Sequence, residues 1–331
     1  MASPGADWIG GDGRSTASTY RAMAADQLHG VSPSYERICL GIADDTDVQA
    51  LIDRLPRPKR QPNLLLAAVR HVGGPVSSWE AFREFVHGHW DDVEQVVLTH
   101  ATQTNEAGRC AVLLPVLAAL PQPLALLEVG ASAGLCLYPD RYGYRYHHDG
   151  GETRLGEGPP VLSCRLEGAP PPSRRPEVVW RAGLDLNPLD VTDDEDVRWL
   201  ESLVWPEQAE RFDTLRGALA VARRDPARVV RGDLTRDVAE LAAAAPADAT
   251  LVVFHTAVLP YVPADARGEF VDVVRALARR RPTVWLANEG RGVVLPGAEH
   301  LAGPGSFVLT RDGEPVAVTA PHGGHYAALA Q

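Results

Sequence analysis

The chain of 331 residues lacks the features that mark membrane and exported proteins. No uninterrupted apolar run approaches the roughly 20 residues of a membrane-spanning helix. Residues 1–18 have no basic stretch followed by an apolar core, so they do not resemble a secretory signal, and we expect this segment to be disordered. These absences predict a cytoplasmic protein with no membrane partner.

Lysine is nearly missing, since Lys59 is the only lysine among 32 basic residues. Schiff-base and P-loop chemistry both need a lysine, so Lys59 alone could supply them. The net charge is −11 and no long basic segment offsets it, which argues against a nucleic-acid partner. The sequence therefore predicts no nucleic-acid partner, and it leaves a homodimer open.

Metal-binding and redox motifs are also missing. The chain has four cysteines, none in a C-x-x-C pair: Cys39, Cys110, Cys136 and Cys164. We interpret them as reduced core residues rather than as a zinc ribbon or a redox motif. The pair His322-x-x-His325 has no third ligand close in sequence, so no metal site is predicted.

One segment carries most of the functional signal. An apolar run from Leu124 ends in Glu128 and is followed by the small residues Gly130-Ala131-Ser132-Ala133-Gly134. This pattern is typical of a buried parallel strand that brings the backbone close to a ligand. Ser132 stands where a pyrophosphate-binding loop has its second glycine, so the pattern favours a ligand without a pyrophosphate. We expect free N–H groups at the start of a following helix.

Two regions of different character follow the N-terminal segment. Residues 19–121 show helical spacing and nothing like a strand, which predicts a helical cap domain. Residues 122–331 alternate apolar runs with helices, which predicts an α/β domain with a mostly parallel, Rossmann-like sheet. The predicted parallel strands are 124–129, 178–184, 229–231, 250–255 and 283–288. A hairpin at 307–310 and 315–319 closes the sheet, and an insertion occupies about 138–176.

A polar residue stands at or just after the end of each predicted strand, namely Glu128, Asp185, Asp233, His255 and Glu289. Such side chains are costly to bury without partners, and parallel strands present their carboxyl ends at one edge. The recurrence therefore predicts a shared ligand site at that edge.

The strand and loop at 124–134 resemble the first motif of S-adenosylmethionine (SAM)-dependent methyltransferases of class I. The resemblance implies SAM as cofactor. It implies that the loop binds SAM through these residues: Glu128, Gly130, Ala131, Ser132 and Gly134. It also implies that Asp185 holds the ribose hydroxyls and that Asp233 meets the adenine amine. Asp185 follows Glu128 by 185 − 128 = 57 residues, which the insertion explains. If residues 144–148 formed the second strand instead, Asp185 would lose this role.

Other polar residues complete the predicted site. Gln103, Asn105 and Arg109 precede a long apolar helix, and we expect them to face the carboxylate of the ligand. His255 and Tyr261 follow the fourth strand and are predicted on the acceptor side, with the tyrosines of the insertion. A histidine there could take a proton from the acceptor, so His255 is the predicted catalytic base.

A serine esterase is the alternative. Residues 130–134 match the nucleophile pattern G-x-S-x-G, and Ser132 could act with Asp185 or Asp233 and with His322 or His325. The acid two residues before the glycine and the missing His-Gly-Gly-Gly segment argue against it. A SAM-binding protein without catalysis is a third interpretation.

Over nearly its whole length the chain resembles an uncharacterised bacterial family common in actinobacteria, the domain of unknown function 2332. The resemblance is carried by RQPNLL (60–65), QTNE (103–106), EVGASAGL (128–135), GLDLNP (183–188), VWPE (204–207) and FHT (254–256). That family implies no activity. The residues favour methyl transfer from SAM to a small molecule held between the cap and the Rossmann-like domain.

Overall fold

The structure, a computed structural model, describes residues 13–294, 299–303 and 305–330. Within them the chain forms two compact units. The helical unit comprises residues 13–104 and 193–213, and the sheet unit comprises 105–192 and 214–330. The first helix begins at Thr16, so the prediction of disorder is wrong for residues 16–18, and residues 1–12 lie outside the described residues.

The described residues contain 11 α-helices. They are α1 (Thr16–Met23), α2 (Pro33–Asp44), α3 (Thr46–Ile52), α4 (Pro62–His71), α5 (Trp79–Gly88), α6 (Trp90–Thr99), α7 (Cys110–Ala119), α8 (Asp194–Leu203), α9 (Ala209–Arg224), α10 (Val238–Ala243) and α11 (Ala264–Ala278). Pro33 opens α2, as a proline at a first helical turn favours. Ser15 caps α1 through its hydroxyl, which accepts a hydrogen bond from the Ser18 N–H. None of these helices is both long and apolar enough to span a membrane.

The segment VWPE has a structural role in the helical unit. The Glu207 carboxylate accepts hydrogen bonds from the Ser32 hydroxyl at 2.5 Å and from the Ser34 N–H at 2.9 Å. The indole N–H of Trp205 donates to the Asn63 side chain at 3.1 Å. These bonds attach residues 193–213 to the helices that precede them by more than a hundred positions.

The sheet unit is built on one 11-stranded sheet. Its strands are β1 (Leu124–Val129), β2 (Gly143–His148), β3 (Gly151–Leu155), β4 (Val161–Glu167), β5 (Val178–Asp185), β6 (Arg228–Arg231), β7 (Thr250–Thr256), β8 (Thr283–Gly290), β9 (Phe307–Arg311), β10 (Glu314–Thr319) and β11 (His325–Ala328). Their order is β3-β2-β4-β11-β10-β9-β8-β7-β1-β5-β6.

The five predicted parallel strands are confirmed and lie side by side as β6-β5-β1-β7-β8. Numbered along the chain, this order is 3-2-1-4-5, and it reverses direction between β1 and β7. In open parallel sheets, ligands bind outside the carboxyl ends of the strands at such a reversal. The loops after Val129 and after Thr256 meet this condition.

The predicted closing hairpin is also confirmed, with β9 antiparallel to both β8 and β10. The sheet does not end there, because β11, β4, β2 and β3 extend it further. Residues 144–148 form part of β2, which pairs with β3 and β4 and not with β1. The strand beside β1 is β5, so Asp185 stands at the end of the strand where the sequence placed it.

Alternate residues of β1 serve opposite faces of the sheet. Ala125, Leu127 and Val129 belong to the core that also includes Phe270 and Val274 of α11. Glu128 therefore points to the other face, where it is as buried as its apolar neighbours, at 1% exposure. The strand thus delivers a carboxyl group into the interior directly before its loop.

Candidate functional site

The loop after β1 is tied to the end of β5. The N–H groups of Gly130 and Ala131 donate to the Leu184 carbonyl at 2.8 and 3.1 Å. The Ser132 N–H donates to Oδ2 of Asp185 at 2.7 Å. A short 3₁₀ turn, Leu135–Leu137, follows in place of the expected helix. The expectation of free N–H groups at a helix start is therefore wrong, because these amides already have partners within the protein.

Asp185 holds two segments at once. While its Oδ2 accepts from Ser132, its Oδ1 accepts from the Asn187 N–H at 2.8 Å. Leu186, the next residue, is 70% exposed and presents apolar surface at the same strand end. Leu186 could not be recognised from the sequence, because a single leucine after a strand carries no distinguishing signal.

Close packing explains the small residues of the loop. A Cβ atom on Gly130 would lie 2.4 Å from the Val258 side chain, and one on Gly183 would lie 2.6 Å from Ala131. Ser132 has a φ of +52°, a conformation that non-glycine residues seldom adopt. The loop is therefore compact and strained, and Ser132 itself is buried.

Glu128 has an unsatisfied buried atom. Its Oε2 makes no hydrogen bond within the described residues. Burial raises the pKa of this carboxyl well above 4.5, and the nearby Cys136 thiol adds to the rise. The guanidinium of Arg109 opposes the rise in pKa without reversing it. The raised pKa favours the protonated form of Glu128, and its unpartnered oxygen at the carboxyl end of β1 is a candidate contact for a ligand.

The residues expected to meet the carboxylate of the ligand have different positions. The Asn105 side-chain oxygen accepts from the Leu135 N–H at 2.7 Å, so Asn105 fixes the backbone that directly follows the loop. Buried Arg109 donates through Nε to the Pro321 carbonyl and through Nη1 to both oxygens of Thr256. Gln103 belongs to the helical unit, and its role stays a prediction.

His255 does not fit the predicted role of catalytic base. It is fully buried, and its Nε2 accepts from the Trp285 indole N–H at 3.0 Å. The proton must then lie on Nδ1, which donates to Oε1 of Glu289 at 2.6 Å. Both ring nitrogens are thus engaged in the core. The same Glu289 carboxylate accepts from the Val258 N–H, so the pair holds the turn after β7.

Tyr261 lies at the end of that turn and is 57% exposed. Desolvation by the surrounding protein raises the pKa of the Tyr261 phenol. The charge of Arg109 opposes this rise, and the charge of Glu289 adds to it. Tyr261 therefore remains a protonated hydrogen-bond donor.

The tyrosines of the insertion have structural roles. Tyr142, Tyr144 and Tyr146 are buried and donate hydrogen bonds to the carbonyls of Leu135, Pro139 and Ala111. Their expected place on the acceptor side is wrong.

Asp233 follows β6, as expected, on the far side of β5 from the loop. Its Oδ1 accepts from the N–H and the hydroxyl of Thr235, and these bonds lower its pKa. The carboxylate is ionised and keeps 33% exposure. It remains available at the same edge of the sheet as Asp185.

The histidines of the last segment face glutamates. Nδ1 of His322 lies 3.7 Å from Oε1 of Glu106, and Nε2 of His325 lies 3.5 Å from Oε2 of Glu167. These pairs differ from the Ser–Asp–His combinations of the esterase alternative, which need Asp185 or Asp233 beside a histidine. Glu106 was not recognised from the sequence, because its partner is more than two hundred positions away.

One group in the described part of the helical unit has ligand atoms close enough for a metal: Asp45, Asp47 and His87. Asp45 is already paired with the Arg83 guanidinium at 2.5 Å, and that pairing and its capping bonds lower its pKa. A cation would have to displace this arginine, so the group is better explained as a surface ion pair.

The fold and the strand-end carboxyls together define an α/β protein with a candidate ligand site at the reversal of strand order. A family model described as an uncharacterized protein conserved in bacteria (DUF2332) matches residues 17–327. The chain belongs to this family, as its sequence motifs had indicated. No curated protein and no solved structure matches it.

Replacing Glu128 with glutamine should change how stability depends on pH. The folded chain keeps a proton on Glu128 that the unfolded chain releases above about pH 4.5, so stability falls as pH rises from there. In Glu128→Gln this loss of stability disappears. The free energies of unfolding of the two proteins should therefore diverge by about 1.4 kcal/mol per pH unit, for as long as Glu128 stays protonated in the folded chain. Urea unfolding at several pH values above 4.5 measures it. Glu314→Gln, which removes an exposed carboxylate, should keep the wild-type slope, and an unchanged slope in Glu128→Gln would contradict the assignment.

A methyl group should not fit where the backbone at Gly323 contacts the backbone at Gly108. A Cβ on Gly323, at a φ of +89°, would lie 1.9 Å from the Gly108 carbonyl oxygen. Gly313 has a φ of +90° with open space around it, so Gly313→Ala reports backbone strain alone, about 1 kcal/mol. Gly323→Ala should cost at least about 2 kcal/mol more in urea unfolding, because two backbone segments must separate. Equal losses in the two variants would show that the contact is not tight.

Proposed function

We propose that this protein is a SAM-dependent methyltransferase that acts on a small molecule. The observation that carries the proposal is the buried Oε2 of Glu128, which has no hydrogen-bond partner within the described residues and lies where the strand order reverses. An orphaned carboxyl oxygen at this position suits the ammonium group of an amino acid. SAM supplies such a group, together with a methyl carbon made electrophilic by a sulfonium centre.

The neighbouring strand ends support the same ligand. A ribose offers two hydroxyl donors, and the Asp185 carboxyl, an acceptor for such donors, stands at the end of β5 beside the loop. Exposed Leu186 provides an apolar surface for a purine, and the ionised Asp233 carboxylate lies one strand further for its amine. Three acidic groups stand at the ends of the adjacent strands β1, β5 and β6, and the positive charge of a bound sulfonium ligand would favour the ionised form of Glu128 that burial opposes.

The loop itself would contribute shape more than hydrogen bonds. Its amides between Gly130 and Ser132 are satisfied by β5, so it does not resemble a phosphate-binding loop. The lack of a second glycine and the use of these amides both favour a ligand without phosphates. This distinguishes the site from one for a dinucleotide.

Tyr261 keeps its expected place on the acceptor side, whereas His255 has a structural role. Tyr261 is exposed beside Arg109 and can orient an acceptor by donating a hydrogen bond. His255, with Glu289 and Trp285, holds the turn that carries Tyr261. The protein mainly positions the acceptor for an in-line displacement.

The positive φ of Ser132 favours the second candidate, a serine esterase, because a nucleophile serine sits on a strained turn. Covalent labelling of Ser132 by a fluorophosphonate would support that candidate. The short 3₁₀ turn after the loop and the glutamate partners of His322 and His325 argue against the esterase.

Calorimetric titration with SAM and with its demethylated product tests the proposal. The wild-type chain should bind both, and Asp185→Asn should weaken them by about tenfold or more, because a charged acceptor of ribose hydroxyls is lost. The matched control is Asp190→Asn. Asp190 also closes a local turn, by accepting from Thr192, but lies five residues beyond the strand end. Binding of neither sulfur ligand, or tighter binding of NAD, would overturn the proposal.

A further inference from the structure

The sheet unit contains a histidine–glutamate pair that the proposed function has not used. Nδ1 of His322 lies 3.7 Å from Oε1 of Glu106, and the two side chains are 50% and 10% exposed. We propose that His322 is the base that takes the proton from the acceptor, and that Glu106 is the positioning residue that orients its ring. This inference rests on the proposed methyl transfer and names the group that assists it.

The chain at His322 is attached to the carboxyl end of β7. Arg109 donates from Nε to the carbonyl of Pro321, the residue before His322, at 2.9 Å. From Nη1 it donates to the carbonyl of Thr256, the last residue of β7, at 3.0 Å. A single buried guanidinium therefore links the histidine segment to one of the two strands between which the order of the sheet reverses.

The residue after His322 is held just as firmly. The Gly323 backbone lies so close to Gly108 that neither position has room for a Cβ atom. Glu106 precedes this contact by two residues and Arg109 follows it by one, so the glutamate and the histidine are carried by two segments in direct contact. A base needs such a fixed position, because a misplacement of about 1 Å costs much of its effect.

Exposure separates His322 from the other histidine near the site. His255 is fully buried with both nitrogens engaged in the core, whereas half of the His322 side chain is open to solvent. With Nδ1 facing a carboxylate, the imidazole is oriented in the way that bases of nucleophilic enzymes are oriented by a third group. The carboxylate also stabilises the imidazolium that forms when the proton is taken.

The pair indicates the class of acceptor. As the acceptor atom forms its bond to the methyl carbon, the carbon–sulfur bond breaks and its electron pair stays on sulfur, which becomes a neutral thioether. The proton of the acceptor moves to His322. A base is needed only when the nucleophile carries a proton, as in a hydroxyl or an amine. The acceptor is therefore an alcohol, phenol or amine and not a carboxylate.

Chemical modification of histidines tests this placement without knowledge of the acceptor. Diethyl pyrocarbonate reacts with unprotonated imidazoles, and peptide mass spectrometry gives a rate for each histidine. The probe ligand is sinefungin, a SAM analogue with an amine-bearing carbon in place of the methylsulfonium. At ten times its Kd it should slow the reaction of His322 by about tenfold, because only about a tenth of the sites remain empty.

His147 provides a matched control, since its Nδ1 lies 3.7 Å from Oε2 of Glu152 and its side chain is 53% exposed. Its rate should not respond to sinefungin. In Glu106→Gln, His322 should react about twofold faster near pH 6, since a half-exposed ion pair contributes a few tenths of a kcal/mol to its protonation. The rate at His147 should not change in this variant.

The outcomes separate the two proposals. If calorimetry shows that sinefungin and the demethylated product do not bind, the proposed function fails and the base assignment fails with it. If sinefungin binds and His322 reacts at its original rate, the function stands and His322 is not the base. An unchanged rate at His322 in Glu106→Gln overturns the pairing, and protection together with the faster rate supports it.

Discussion

The hydrogen bond from the Ser132 N–H to the Asp185 carboxylate is the interaction on which the candidate site depends. It joins the turn after β1 to the end of β5, across the strand pair at the middle of the parallel sheet. The carbonyl of Leu184 reinforces it by accepting from two further amides of the same turn. A strained serine and the tightly packed Gly130 are tolerated because these bonds fix the backbone around them.

Arg109 makes the corresponding connection on the other side of β1. Its guanidinium donates hydrogen bonds to both Pro321 and Thr256, and its charge opposes the rise in the pKa values of Glu128 and Tyr261. It is a buried cation among acidic side chains, and it is held by carbonyl oxygens and a hydroxyl. Such a charge is retained only where its donors are well satisfied. Under the proposed function, Arg109 therefore organises the acceptor side of the site more than it contacts a ligand carboxylate.

The parallel strands could be predicted from the sequence because each is a short apolar run that ends in a polar residue, as Glu128 and Asp185 show. The sequence could not show which polar side chains would form hydrogen bonds within the protein and so be unavailable to a ligand. His255 looked like a base because of its position, but its neighbours across the sheet, Trp285 and Glu289, come from a strand thirty residues later.

The same limit applies to the insertion. Tyr144 and Tyr146 looked like acceptor-binding groups, yet strand pairing places β2 inside an extended sheet, where their hydroxyls bond to carbonyls. The importance of Glu106 depends wholly on the return of residues 321–324 to the sheet edge. Sequence spacing predicts local structure, while the fate of a polar side chain depends on contacts between distant segments.

A crystal structure of the chain grown with the demethylated product of SAM would locate the ligand. The amino group of the ligand should lie beside Oε2 of Glu128, and its ribose hydroxyls should bond to Asp185. Crystals soaked at saturating concentration that leave both carboxyls without the ligand, or that hold it elsewhere on the chain, would contradict this placement.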